Sequence, residues 1–206
     1  MPRVGRRFLS ERRRDPYYRA AQSEGLRSRA AFKLADLTNR FPILHDGDRV
    51  LDLGAAPGGW SIVVRDLLAG RGEVVAVDPR SIEPAEGIRV VRGSVGAPGL
   101  ADRLGPEPFD VVLSDMSPSI SGAYATDHAR SVDLVRSAFR LSFEVLRPGG
   151  VFVAKVFQGD LLDDLSQEIS RSFERLHRTK PVASRERSSE LYLVGLGFRG
   201  RPKDQS

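Results

Sequence analysis

A lysine inside an apolar stretch is the first feature of this sequence that suggests chemistry. Lys155 interrupts the run Phe152-Val-Ala-Lys-Val-Phe157, in a chain that holds only four lysines beside 28 arginines. Burying a charged amine in a strand core is expensive, so a lysine at this position needs a specific reason. When burial or a nearby cation favours the neutral form of a lysine, its amine can accept a proton from a substrate. Lys155 is therefore a candidate general base.

A glycine-rich loop, Gly54-Ala-Ala-Pro-Gly-Gly-Trp60, directly follows the apolar run 49–53. Glycines let the backbone turn tightly there and approach a ligand without interference from a Cβ atom. Asp78 ends the next apolar run, where a carboxylate is suited to bind ribose hydroxyls. Pro57 removes an amide that a pyrophosphate site would use, and Asp52 favours a cationic ligand. The loop therefore predicts a cationic, ribose-containing cofactor, and it disfavours an NAD-dependent oxidoreductase.

Alternating strand-like and helix-like segments must position these residues. Strands are predicted at 49–53, 73–77, 88–92, 109–114 and 150–157, and helices are clearest at 59–69 and 128–146. Continuous apolar runs are typical of strands that are covered on both faces. This order predicts a doubly wound, mainly parallel α/β sheet with helices on both faces.

Further elements are predicted on either side of this central part. A helix at 29–40, with Ser28 as its N-cap, precedes the first strand. A helix at 160–175 and two last strands, near 177–183 and 190–198, complete the chain. The last two strands are expected to form an antiparallel, hairpin-like pair.

Composition restricts the class of protein. The 206 residues fit one domain, contain no cysteine for disulfides or thiolate metal sites, and include three scattered histidines that make no metal cluster. No apolar run approaches the ~20 residues of a membrane span. We expect a cytoplasmic protein that is not membrane-bound and uses no metal.

Positive charge is concentrated at the N-terminus. Residues 1–30 hold nine arginines and three acidic residues, a net charge of +6, whereas the whole chain carries +5. Next to Tyr17 and Tyr18, this local charge indicates contact with a polyanion. A solvated leader with no function explains the composition equally well.

Three long motifs resemble the FtsJ/RlmE family of ribose 2′-O-methyltransferases. They are Val50-Leu-Asp-Leu-Gly-Ala-Ala-Pro-Gly-Gly-Trp-Ser61, Ser114-Asp-Met-Ser-Pro118 with Ser121-Gly122, and Val153-Ala-Lys-Val-Phe-Gln-Gly159. Ser184-Arg-Glu-Arg-Ser-Ser-Glu-Leu-Tyr192 resembles the closing motif of the family, and Tyr17 to Leu34 is similar to archaeal members. The resemblance implies a Rossmann-like methyltransferase fold with an antiparallel C-terminal strand.

The resemblance also implies a catalytic tetrad and a methyl-donor site. The tetrad positions match Lys33, Asp115, Lys155 and Glu190. Lys155 would be the base for a ribose hydroxyl, and Lys33 a neighbouring cation. Asp115 would orient Lys155, and Glu190 would balance the charge of the two lysines. The donor, S-adenosyl-L-methionine, would contact Gly58, Trp60, Asp78, Ser94 and Asp115. Ser94 stands where family members usually have an acidic residue.

The activity expected from this resemblance is methylation of the 2′-hydroxyl of a uridine in the A loop of 23S ribosomal RNA. The partner would be ribosomal RNA or the large ribosomal subunit, and the protein would act as a monomer. The expected domains are a basic RNA-binding segment (1–28), a catalytic domain (29–200) and a tail (201–206). A tRNA ribose 2′-O-methyltransferase and a non-catalytic ribosome-assembly factor that binds RNA remain as alternatives.

Overall fold

The computed structural model describes residues 26–181 and 189–201, with side chains from residue 31 onward. The predicted RNA-binding segment 1–28 lies outside the described residues, apart from its last three residues, which begin the first helix. Of the predicted tail, only Arg201 is described.

Five helices and seven strands make up the described part of the chain. The helices are α1 (Leu26–Arg40), α2 (Gly59–Leu68), α3 (Leu100–Leu104), α4 (Tyr124–Val145) and α5 (Leu162–Ser170). The strands are β1 (Arg49–Leu53), β2 (Glu73–Asp78), β3 (Ile88–Arg92), β4 (Phe109–Ser114), β5 (Leu146–Phe157), β6 (Phe173–Thr179) and β7 (Glu190–Phe198).

The strands form one sheet in the order β3-β2-β1-β4-β5-β7-β6. The neighbouring strands β3, β2, β1, β4 and β5 are parallel to one another. Strand β7 lies between β5 and β6 and is antiparallel to both. This arrangement confirms the fold class expected from the sequence, a mainly parallel Rossmann-like sheet with an antiparallel C-terminal strand. The strand order reverses between β1 and β4, and ligands of such sheets bind at that point, beyond the carboxyl ends of the strands.

Helices cover both faces of the sheet because each strand sends alternate side chains to opposite sides. In β1, Leu51 belongs to the core that includes α4, whereas Val50 belongs to the core that includes α1 and α2. Leu34 and Leu37 anchor α1 to this second core and are fully buried. Each buried leucine contributes ~1.5–3 kcal/mol, so the pair fixes the helix that carries Lys33.

Two helices begin earlier than predicted. Helix α1 begins at Leu26, so Ser28 lies inside the helix and is not its N-cap. Leucine and arginine are good helix formers, which is why the helix extends into this part of the chain. Helix α4 begins at Tyr124 rather than at residue 128.

Prediction was also wrong about the chain between β5 and β7. Helix α5 ends at Ser170, and β6 occupies Phe173–Thr179 instead of 177–183. The reason is core packing, because the Phe173 ring lies 6.1 Å from the Phe152 ring and 5.2 Å from the Phe198 ring. The short helix α3 was not predicted, since five residues are too few for a periodic pattern.

Candidate active site

A cavity of about 560 Å³ opens at the carboxyl ends of the parallel strands, where the strand order reverses. Its lining includes Gly54, Asp78, Arg80, Ser94, Asp115 and Met116. Gly54 has a φ of +74°, and a Cβ atom there would lie 2.5 Å from the Met116 side chain. Only glycine therefore allows the loops after β1 and β4 to approach this closely. The volume suits a small organic ligand.

Asp78 presents a buried carboxylate to this cavity. Its oxygens accept hydrogen bonds from the backbone N–H groups of Ala56 (3.0 Å) and Arg80 (2.8 Å), and from the Arg80 guanidinium. Burial alone would raise the pKa of Asp78, but these hydrogen bonds outweigh it and hold the pKa below its usual value. Asp78 is thus an anionic acceptor at the place predicted for ribose hydroxyls. A ligand hydroxyl would have to share its oxygens with Arg80.

Asp52 is a second buried carboxyl group at this edge of the sheet. One of its oxygens accepts a hydrogen bond from the Ser61 hydroxyl (2.6 Å), and the other has no hydrogen-bond partner among the residues described. Burial, together with the charges of Asp115 and Asp78, raises the pKa of Asp52 to about 7. Three carboxyl groups this close repel one another, and a cationic ligand would relieve that repulsion.

Lys155 and Asp115 meet where β4 and β5 end their pairing. Ser114 pairs with Ala154, so the next residue of each strand, Asp115 and Lys155, are neighbours. The Lys155 amine donates to the backbone carbonyl of Asp115 (2.8 Å) and lies 3.0 Å from its carboxylate. The side chain of Lys155 is only 6% exposed. Both of these contacts of the buried Lys155 amine are thus with Asp115, which lines the cavity.

Tyr192 completes the contacts of Asp115. It pairs with Lys155 across β5 and β7, and its hydroxyl donates to the Asp115 carboxylate (2.8 Å). Burial, with the adjacent Asp115 charge, raises the pKa of Tyr192 well above its usual value, so the hydroxyl remains a donor. The Tyr192 ring is stacked on the Trp60 ring, with centroids 5.7 Å apart.

Lys33 and Glu190 form the second ion pair of the predicted tetrad. The Lys33 ammonium contacts the Glu190 carboxylate, and both side chains are partly buried. Glu190 lies two residues before Tyr192 on β7, so both side chains are on the same face of the strand. The four tetrad residues therefore form two ion pairs, Lys155 with Asp115 and Lys33 with Glu190.

The predicted donor-binding residues divide into two groups. Asp78, Ser94 and Asp115 line the cavity, whereas Gly58 and Trp60 do not. Gly58 lies at the N-cap of α2 with a φ of +106°, a conformation that requires glycine. The Trp60 ring is buried against Tyr192, so any contact of Trp60 with a donor would involve its backbone.

Reasoning from the sequence missed Tyr192 and Arg80. The period of two along a strand could have indicated Tyr192, because Glu190 was already a candidate in the same segment. No comparable signal marks Arg80, whose importance comes from its contacts with Asp78 and the Ala56 carbonyl.

The described ranges contain neither a metal-binding cluster of side chains nor a membrane-spanning helix. No group of three or more histidine, aspartate or glutamate side chains there could hold a metal ion. None of the helices described is both long and apolar enough to cross a membrane.

Solved structures share this fold. A ribosomal RNA methyltransferase of Plasmodium falciparum aligns over 85% of this chain and 100% of its own, with a TM-score of 0.78 and 27% identity. Fibrillarin of Aeropyrum pernix, solved with natively bound S-adenosyl-L-methionine, aligns over 81% of this chain and 76% of its own, with a TM-score of 0.56 and 17% identity. These neighbours show that the chain has the Rossmann-like methyltransferase fold.

The family follows from the sequence comparison. The FtsJ-like methyltransferase family matches residues 26–198. A relative from Methanothermobacter thermautotrophicus, named ribosomal RNA large subunit methyltransferase E, is 46% identical over 205 residues, which cover 97% of each chain. The chain belongs to the FtsJ-like methyltransferase family, as its motifs indicated.

Proposed function

We propose that this protein transfers a methyl group from S-adenosylmethionine to the ribose 2′-hydroxyl of a uridine in the A loop of large-subunit ribosomal RNA. The observation that carries the proposal is the buried amine of Lys155, held by Asp115 at the edge of the cavity. The name of the similar M. thermautotrophicus protein supports ribosomal RNA as the substrate class.

The cavity fits the donor. Asp78 would accept hydrogen bonds from the ribose of the donor, Ser94 would contact its adenine, and Asp115 would lie nearest the reacting atoms. When bound, S-adenosylmethionine supplies a methyl group on a positively charged sulfonium, which is electrophilic without a metal. The carboxyl groups of Asp52, Asp78 and Asp115 favour that positive charge.

Lys155 would accept the proton of the attacking hydroxyl. In its neutral form the amine has two N–H groups and one lone pair. The amine donates to the Asp115 carbonyl (2.8 Å) and lies 3.0 Å from the Asp115 carboxylate, so Asp115 would orient its lone pair toward the 2′-hydroxyl. As the O–CH3 bond forms and the S–CH3 bond breaks, the proton moves to Lys155 and Asp115 stabilises the ammonium ion. Tyr192 keeps the Asp115 carboxylate in place throughout.

The second ion pair would set the charge around this base. Glu190 lies two residues from Tyr192, the residue that pairs with Lys155, so its carboxylate would add to the negative charge around the base. Lys33 balances that carboxylate. We therefore assign Lys33 and Glu190 an electrostatic role.

RNA binding would depend on the arginines of residues 1–28, all of which except Arg27 lie outside the described residues. A net charge of +6 in residues 1–30 is suited to several phosphate contacts. We propose that the protein acts as a monomer in the cytoplasm, on ribosomal RNA or on the large subunit.

Mapping the methylated nucleotide tests this function. Purified protein is incubated with labelled methyl donor and either large-subunit ribosomal RNA or tRNA transcripts, and the product is mapped by resistance to alkaline cleavage. We expect label at one uridine of the A loop. Label in tRNA alone would favour the tRNA enzyme of the same fold, and no label in any RNA would favour an assembly factor.

A further inference from the structure

Large apolar side chains are exposed next to the active site. Among the described residues, four such side chains are exposed: Ile120 (67%), Tyr124 (59%), Leu161 (39%) and Val90 (38%). Val90 lies on β3 at the edge of the sheet, whereas the other three lie on the segments that follow β4 and β5. We call Ile120 and Tyr124 the apolar shelf.

The shelf is joined to the strand that carries Lys155. The Tyr124 hydroxyl donates a hydrogen bond to the backbone carbonyl of Gln158, three residues beyond Lys155. At ~3.3 Å per residue of strand, this carbonyl lies ~10 Å along the chain from the Lys155 backbone. Along the chain, Ile120 directly follows Ser119. Ser119 and Ser117 both line the donor cavity.

The loop that carries the shelf is held in one conformation. Asp127 of α4 accepts hydrogen bonds from the backbone N–H of Ser121 (2.8 Å), from the Ser121 hydroxyl (2.7 Å) and from the N–H of Gly122 (3.2 Å). These bonds hold the pKa of Asp127 below its usual value, so the carboxylate stays charged and keeps the loop fixed. The two exposed side chains are therefore presented to the solvent by an ordered loop.

We propose that the apolar shelf binds an unstacked nucleobase of the RNA substrate, next to the ribose that is methylated. This inference rests on the proposed function. The Lys155 amine is buried, so a ribose reaches it only when its nucleotide leaves the helical stack. The displaced base then needs an apolar surface, and aromatic rings supply one by stacking. Because Gln158 holds the hydroxyl of Tyr124, the ring is already oriented before RNA binds.

Three variants test the role of Tyr124. Tyr124→Ala removes the ring, and Tyr124→Phe keeps the ring without the hydroxyl. Val90→Ala shortens an exposed side chain on the edge strand β3 that is not part of the cavity lining. For a transcript that the wild type methylates, we expect Tyr124→Ala to raise the KM for RNA by ~5- to 150-fold, the range for loss of one stacked base. Tyr124→Phe and Val90→Ala should stay within ~3-fold of the wild type. Donor affinity should be unchanged in all three.

Fluorescence identifies the occupant directly. The adenine analogue 2-aminopurine, placed at or beside the methylated nucleotide, should be quenched by the wild type and by Tyr124→Phe but not by Tyr124→Ala. An unchanged KM for RNA in Tyr124→Ala would overturn the inference. A defect on whole ribosomal subunits but not on free RNA would also overturn it, because the shelf would then contact a protein. If the wild type quenches the analogue through Tyr124 but methylates no RNA, the proposed function fails and the base-binding role of the shelf stands. If the wild type neither quenches nor methylates, both fail.

Discussion

Replacing Asp52 with asparagine tests whether the crevice is built for a cation. On folding, the pKa of Asp52 rises from 3.8 to about 7, mainly because burial disfavours the charged form. The folded state therefore binds the Asp52 proton more tightly than the unfolded state. The wild type should lose stability as the pH rises from ~4 to ~7, and Asp52→Asn should lack this contribution.

The size of the effect follows from the two pKa values. A difference of one pKa unit corresponds to ~1.4 kcal/mol, so the difference of about 3 for Asp52 corresponds to ~4 kcal/mol. Roughly 2 kcal/mol of this loss should fall between pH 5 and pH 7. Urea unfolding of the wild type and of Asp52→Asn at pH 5, 6, 7 and 8 measures this loss. It appears as a pH-dependent difference between the two free energies of unfolding.

Ser61→Ala is the matched variant. The Ser61 hydroxyl donates to Asp52 and lowers its pKa, so removing it should extend the loss of stability to higher pH. Binding of S-adenosylmethionine should strengthen from pH 6 to pH 8 in the wild type, as Asp52 ionises, and much less in Asp52→Asn. If the stability profiles of wild type and Asp52→Asn run parallel from pH 5 to pH 8, Asp52 is not the buried acid described above.

Three further predictions concern the donor and the RNA. Arg80→Ala should raise donor affinity by up to ~5-fold, because Arg80 occupies the oxygens of Asp78 and, being largely exposed, contributes only ~0–1 kcal/mol through this ion pair. Weaker binding by calorimetry would show that Arg80 itself holds the donor. Ser94→Asp should leave donor affinity unchanged or improve it by ~1 kcal/mol, one good hydrogen bond, and a tenfold loss would contradict the assignment of Ser94 to the donor site. Deleting residues 1–14 removes six arginines. RNA binding should weaken and its salt dependence should flatten, while donor binding persists. An unchanged salt slope would show that the segment does not contact RNA.

The pairing of Lys155 with Asp115 was within reach of the sequence. Each residue comes at or near the end of an apolar run, and parallel neighbouring strands bring such ends together. The same argument placed Asp78 at the cavity, whereas Ser94 was expected there from the family resemblance. The fold class was predictable for the same reason, since strand and helix patterns alternate along most of the chain.

The pairing of Lys33 with Glu190 could not be predicted from strand and helix patterns. The ion pair joins residues 157 positions apart, on the first described helix and on the last strand. Such patterns indicate which face of an element is apolar, but not which polar groups meet across elements. The expectation that Glu190 balances the lysines therefore came only from the family resemblance, and the structure agrees with it for Lys33. The start of β6 was missed because the packing of Phe173 decides it.

The central claim, that Lys155 is the general base, is tested most directly by single-turnover methylation with Lys155→Arg. Arginine keeps the positive charge, but its guanidinium does not deprotonate in the working pH range. We expect donor and RNA affinity to persist and methyl transfer to fall by at least the ~10²-fold typical of a lost general base. Lys33→Arg, which keeps the charge opposite Glu190, should be affected much less. Near-normal single-turnover rates in Lys155→Arg would contradict the account and move the role of base to another group.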